Sequence, residues 1–143
     1  MTLNQIKSKL ESLANNHLQI KSFGWGDSWE FEADGGVNAS VMWVIPRGFN
    51  IESKAIVYSF NLLFMDLVDK DEANETEVLS DQTLICMDIL SQLDEEAESD
   101  EFTILKTNSA QYFTERFDNE WSGVYIDLSI RVNYLRNNCN IPD

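Results

Sequence analysis

The fold class this sequence predicts is α+β: an antiparallel or mixed β-sheet with two helices packed on it. Three observations lead there. Two long segments, Lys54–Asp66 and Gly123–Tyr134, alternate their side chains with a period of two, as sheet strands do. Two others, Leu3–Asn16 and Thr76–Leu93, repeat apolar residues at three- and four-residue spacing, as amphipathic helices do. The chain has 143 residues, 43% of them hydrophobic, which suffices for one buried core and suggests a single domain. That domain is expected to span residues 1–136, leaving 137–143 as a polar tail without pattern.

The first helix, Leu3–Asn16, carries Leu3, Ile6, Leu10 and Leu13 on one stripe, with Thr2 as its N-cap. His17, the sole histidine, stands at the helix end as a cap or surface group. Leu18–Phe23 reads as a short strand, and Gly24-Trp25-Gly26-Asp27 as a hairpin turn leading into Trp29–Phe31. Asp34-Gly35-Gly36 forms another turn. Val41–Ile45 is the next strand, closed by Pro46-Arg47-Gly48, and residues 47–53 form a polar connection.

The segment Lys54–Leu93 organises the rest. Along its strand, Ile56, Tyr58, Phe60, Leu62 and Phe64 share one face, which the following helix is expected to cover. Ala55, Val57, Ser59, Asn61, Leu63 and Met65 share the other, which is expected to be only partly covered. An acidic loop, Leu67–Glu75, leads to the helix, where Asn74 and Glu77 stand at capping-box spacing. Val78, Ile85, Ile89 and Leu93 form its apolar stripe, widened by Leu79, Cys86 and Leu90. Asp94–Glu101, with six acids and no base, reads as a solvated loop. Phe102–Lys106 and Tyr112–Phe117 are further strands. In Gly123–Tyr134, Val124, Ile126, Leu128, Ile130, Val132 and Tyr134 line a buried face, while Asp127, Ser129, Arg131 and Asn133 line a wet or partner-facing one.

The net charge is −15, and Asp66–Glu101 alone holds fourteen acids against Lys70. So negative a surface repels phosphate backbones, which argues against direct nucleic-acid binding. It suits a protein kept soluble before assembly, or one that complements a basic patch on a partner. No apolar run approaches the roughly 20 residues needed to cross a bilayer, and the first residues lack the order of a signal peptide. Cys86 and Cys139 form no disulfide framework; Cys86, on the apolar helix face, reads as a buried thiol in a reducing compartment.

Catalytic chemistry finds little purchase. A twelve-residue calcium loop starting at Asp69 would have Asn74 in place of the glycine and Ser80 in place of the bidentate carboxylate. No Gly-x-Ser-x-Gly elbow is present, and the whole chain offers three Cys and His residues toward a zinc site. No enzyme activity and no cofactor are therefore expected. The aromatic turns are more suggestive, since Trp25, Trp29 and Trp121 suit either a core lid or an interface anchor.

Three stretches carry a resemblance. They are Phe23-Gly24-Trp25-Gly26-Asp27 with Trp29-Glu30-Phe31, the run from Met65 to Asp81, and Phe113-Thr114-Glu115-Arg116-Phe117-Asp118 followed by Ser122-Gly123-Val124. Together with the order of elements, they resemble the tail-completion and tail-terminator proteins of tailed bacteriophages, including small virion proteins of crAss-like phages. The resemblance implies a structural virion subunit that forms a ring or adaptor at the neck or tail, built in the host cytoplasm. Its partners would be further copies of itself and the portal, neck or tail proteins. Candidate interface residues are Asp66, Asp69, Asp71, Glu72, Glu75 and Glu77 on one surface, Asp127 and Arg131 with the Trp121 turn on another, and Trp25 besides. Two alternatives stand beside it: an acidic module that binds a basic host protein, and a metal-dependent enzyme using Asp69 and Asp71.

Overall fold

Thr2 opens the first helix with a reciprocal cap. Its hydroxyl accepts the Gln5 amide at 3.2 Å, and the Gln5 side chain accepts the Thr2 amide at 2.7 Å. Two amides that the helix itself would leave orphaned are thereby satisfied. Helix α1, Leu3–Asn16, buries Ile6, Leu10, Leu13 and Ala14 and ends at His17, whose backbone amide donates to Ala14. Leu3 alone of the expected stripe stays exposed. The computed structural model describes residues 1–27, 40–67, 74–100, 102–105, 110–116 and 121–133.

Strands β1 (Ser22–Trp25), β2 (Val41–Glu52), β3 (Ala55–Leu67), β4 (Phe102–Leu105), β5 (Ala110–Arg116) and β6 (Trp121–Asn133) form one sheet. Their spatial order is β1-β2-β3-β6-β4, and β5 also pairs with β6. β4 takes the Ser129–Val132 end of β6 and β5 takes the Trp121–Ile126 end, so the two share one sheet edge. β1 runs parallel to β2 and every other pair is antiparallel, which makes the sheet mixed. Helix α2, Glu75–Asp100, returns across it. The fold is α+β, with both helices packed on the sheet.

Several sequence expectations change here. The strand beginning at Val41 does not close at Pro46; it continues to Glu52, and residues 47–53 are not a polar connection. A register shift between Pro46 and Gly48 absorbs the proline, and Gly48 takes a φ of +134°. A bulge on an edge is where a sheet tolerates proline, because a missing N–H there breaks no central ladder. Beyond it, Ser53 and Lys54 make the hairpin turn, with Lys54 at φ +65°.

Gly24 and Trp25 belong to β1 and not to a hairpin turn, although Gly26 does take a positive φ of +132°. The parallel pairing of β1 with β2 requires a crossover connection rather than a tight turn. Trp29–Phe31, the Asp34-Gly35-Gly36 turn and the 137–143 tail lie outside the described residues.

The expected loop Asp94–Glu101 is helical as far as Asp100. Ala97 still packs against the core there, and glutamate is a good helix former, so packing outweighs like-charge repulsion worth a few tenths of a kcal/mol per pair. The face of β3 expected to be half covered is buried as well: Ala55, Val57, Asn61, Leu63 and Met65 are all buried.

Two cores result, one on each side of the sheet. On the helix side, Met42, Val44, Phe60, Phe64, Ile126 and Leu128 meet Ile6 and Leu10 of α1 and Ile85, Ile89 and Leu93 of α2. Each such side chain contributes about 1.5–3 kcal/mol by leaving water. On the other side, Val41, Trp43, Ile45, Leu63, Met65, Phe113 and Trp121 form a smaller cluster.

Candidate functional site

The carboxylates proposed as one surface separate by environment. Asp66 lies at the far end of β3, half-buried, and accepts the Leu67 amide at 2.7 Å. Burial lifts its carboxyl above the usual range; the Leu67 amide opposes that rise, and neighbouring Asp81 adds to it. Glu75 and Glu77 occupy the first turn of α2, where negative charge complements the helix dipole. Asp69, Asp71 and Glu72 lie outside the described residues. Asp66 and Asp81 line a cleft of about 310 Å³ with Lys21, Ser40 and Gln82. Inside it the Ser40 hydroxyl meets the Gln82 carbonyl oxygen at 3.3 Å.

The second predicted surface is wet, as its alternation implies. Asp127 and Arg131 are exposed on the β6 face turned away from the helices. The Arg131 guanidinium meets the Glu52 carboxylate across β3 at 3.5 Å. Beside it, Arg47, Ser59, Asn61, Tyr125, Asp127 and Ser129 line a shallow cleft of about 420 Å³. The Asn61 amide donates to the Tyr125 hydroxyl within it. Asp66 pairs with Ser122, Asn61 with Asp127 and Val57 with Arg131, so Asp127 and Arg131 lie five and nine rungs of the β3–β6 ladder from Asp66. At about 3.3 Å per residue these are roughly 17 and 30 Å.

The tryptophans divide. Trp121 is the first residue of β6, 4% exposed, and belongs to the second core cluster rather than to a surface turn. It offers no anchor to a partner. Trp25 is half-buried on the helix side, its ring 5.8 Å from Phe60 with the Lys7 ammonium 5.5 Å from its centroid. That cation–π contact ties α1 to the sheet edge.

Groups able to do chemistry stay apart. His17 Nδ1 accepts the Gln19 amide at 3.2 Å, which leaves Nε2 to donate to the Asp88 carboxylate at 3.1 Å. The ring clips α1 to α2. Cys86 is buried and its thiol is pushed up to about 11 by desolvation, which leaves it protonated and a poor nucleophile. Among the described residues no three His, Cys, Asp or Glu side chains gather where they could hold a metal ion. Also among them, no helix is long and apolar enough to cross a membrane.

Two surfaces went unread in the sequence. One is the free end of the β2–β3 hairpin, where Phe49 and Ile51 are exposed. The other is the outer face of α2, where Leu84 and Met87 are exposed beside Tyr112 of β5. The signal for the first was present: Phe49 and Ile51 alternate with Asn50 and Glu52 up to a two-residue turn. A scan against protein-family models finds no match to this chain, and a search of curated proteins finds none either.

Proposed function

We propose that this protein is a structural subunit of a tailed-phage virion, forming a ring or adaptor at the neck or tail through contacts with copies of itself and with neighbouring virion proteins. One observation carries the reading: exposed apolar groups stand on two unlike surfaces, the free end of the β2–β3 hairpin and the outer face of α2. A subunit with two different sticky surfaces is suited to head-to-tail association, which closes into a ring when successive rotations sum to a full turn. The resemblance of the Met65–Asp81 run to tail-completion and tail-terminator proteins supports the same reading. Mass spectrometry of purified particles tests it. The protein is expected in a fixed ratio to the portal protein, and its absence from particles would overturn the reading.

A second reading draws on α2, which carries nine acids and no base. Such a surface fits a basic groove on a host protein. Capture of a basic protein from host lysate at low salt, released at high salt, would favour this alternative.

A further inference from the structure

The first exposed patch is the free end of the β2–β3 hairpin. β1 pairs with β2 only as far as Val44, so among the described residues β2 from Ile45 to Glu52 is an open edge. There Phe49 and Ile51 are 61% and 80% exposed, on the same side of the hairpin as their cross-strand neighbours Tyr58 and Ile56. The Phe49 ring leans on Tyr58 with centroids 6.4 Å apart, which holds the patch in shape before any partner arrives. At the turn Lys54 stands beside this patch, while Arg47 lines the cleft on the opposite face and Glu52 is held there by Arg131.

The second patch lies on the helix that covers β3, β6 and β4. On the outer face of α2, Leu84 and Met87 sit one turn apart, 58% and 60% exposed. Exposed Asp81 lies about one turn before Leu84, and exposed Asp88, which also meets His17 of α1 at 3.1 Å, follows Met87. Tyr112 of edge strand β5 extends the patch, its hydroxyl 3.1 Å from Thr83 Oγ1. Each patch therefore has an apolar centre, with a lysine beside the first and carboxylates beside the second.

We propose that the hairpin end of one copy docks on the outer face of α2 in the next, with Phe49 and Ile51 over Leu84 and Met87, and Lys54 at the turn facing the acids of the helix. A second copy of this chain is the occupant that the charges favour. The hairpin is one of the few places on so acidic a protein that α2 does not repel. Pairing of α2 with α2 would set nine acids against nine, which disfavours a two-fold dimer through this face. The contact is consequently head-to-tail and repeats from copy to copy. It rests on the reading of the protein as a self-assembling subunit and assigns that reading its surfaces.

Complementation in trans tests it. Two full-length variants are made, a hairpin variant (Phe49→Asp with Ile51→Asp) and a helix variant (Leu84→Asp with Met87→Asp). All four positions are exposed, so circular dichroism melts close to wild type are expected. Size-exclusion chromatography with light scattering should show wild-type mass rising with concentration, while each variant alone stays monomeric. Mixed in equal amounts, the variants should give dimers and nothing larger, since one intact hairpin end meets one intact helix face. Should the hairpin variant fail to fold, Lys54→Glu alone and Asp81→Lys alone are each expected to assemble less than wild type, and their mixture, in which the reversed charges also face one another, to recover assembly. A mixture that holds only monomers, a hairpin variant that assembles like wild type, or a wild type that stays monomeric at its solubility limit each overturns the docking. Wild-type assembly with unimpaired hairpin variants would leave the ring reading standing and remove only these surfaces. Absence from particles, by contrast, removes the virion reading and leaves the docking result to stand by itself.

Discussion

Gly123 lies where three strands meet, pairing with Met65 of β3 on one side and Phe113 of β5 on the other. A Cβ at this position would stand 1.9 Å from the Phe64 carbonyl oxygen and 2.7 Å from Met65 Cα. Backbone atoms of a central strand cannot retreat as a side-chain tip can. Gly123→Ala is therefore expected to cost about 3 kcal/mol or more, read as a lower urea midpoint at unchanged slope. Gly24 has a related reason to be glycine, since the Trp43 indole lies where its Cβ would be. The Trp43 ring N–H donates to the Gly26 carbonyl at 3.0 Å, so this ring holds both glycines against β2. Local pattern offered a turn for these glycines, because the ring that explains them arrives some twenty residues later in the chain. Asp66 gives a pH-dependent prediction. Its carboxyl is held above the usual range by burial and by Asp81, so the folded state binds a proton more readily than the unfolded state does. Between the ordinary carboxylate pKa and the raised one, stability falls as pH rises, and the cost persists above that window. Asp66→Asn keeps an oxygen for the Leu67 amide and removes the charge. It is expected to raise the melting temperature at pH 7 and to bring no gain below about pH 3.5, where both states of Asp66 are protonated. The gain stays under about 1 kcal/mol, because solvent screens a half-exposed group. A variant equally stabilised at both pH values would show that the carboxylate charge is not the cause.

At the scale of elements, legibility followed how local the cause was. Helix α1 was readable to the residue, because its cap, its stripe and its stop all lie within Thr2–His17. Thr2→Ala tests that locality. It removes the hydroxyl that accepts the Gln5 amide and is expected to cost about 1 kcal/mol, seen as a lower thermal midpoint. Strand β6 was likewise legible from alternation alone, and Asp127 and Arg131 fell on the wet face as expected. β2 was not. Pro46 and Gly48 punctuate a sequence strongly, yet a bulge at an open edge carries the strand through both. The helix beyond Leu93 was lost for a similar reason. A dense run of acids signals solvent, whereas Ala97 on the core and Lys9, 3.8 Å from Glu96, belong to tertiary structure that no window shows. The candidate surfaces split the same way. The acid-rich segment was visible as composition, but the exposed apolar groups within its helix become visible only once the buried stripe is known.

The molecule as a whole is a charged object whose two physical tendencies respond to salt in opposite directions. Fourteen acids against one base between Asp66 and Glu101 give the folded chain a self-repulsion that the expanded chain largely escapes. Exposed charges feel one another over a Debye length of about 10 Å at 0.1 M salt, and over less as salt rises. Raising sodium chloride from about 0.02 M to about 0.5 M should thus stabilise the isolated subunit, with a gain of 1–2 kcal/mol moving its melting temperature upward by roughly 3–8 °C. The same screening weakens an attraction between Lys54 at the hairpin end and the acidic helix, so the assembled fraction at fixed concentration should fall as salt rises. Lowering the pH toward the sequence pI of about 4.2 protonates the acids and should act on both quantities as salt does. Differential scanning fluorimetry and sedimentation velocity on the same samples measure the two together. Choline chloride in place of sodium chloride separates screening from capture of a particular cation, since both salts screen alike. A melting temperature that climbs only with sodium would point to a bound ion. A melting temperature and an assembled fraction that rise together would mean that the contact between copies is carried by Phe49, Ile51, Leu84 and Met87 with no help from the charges around them.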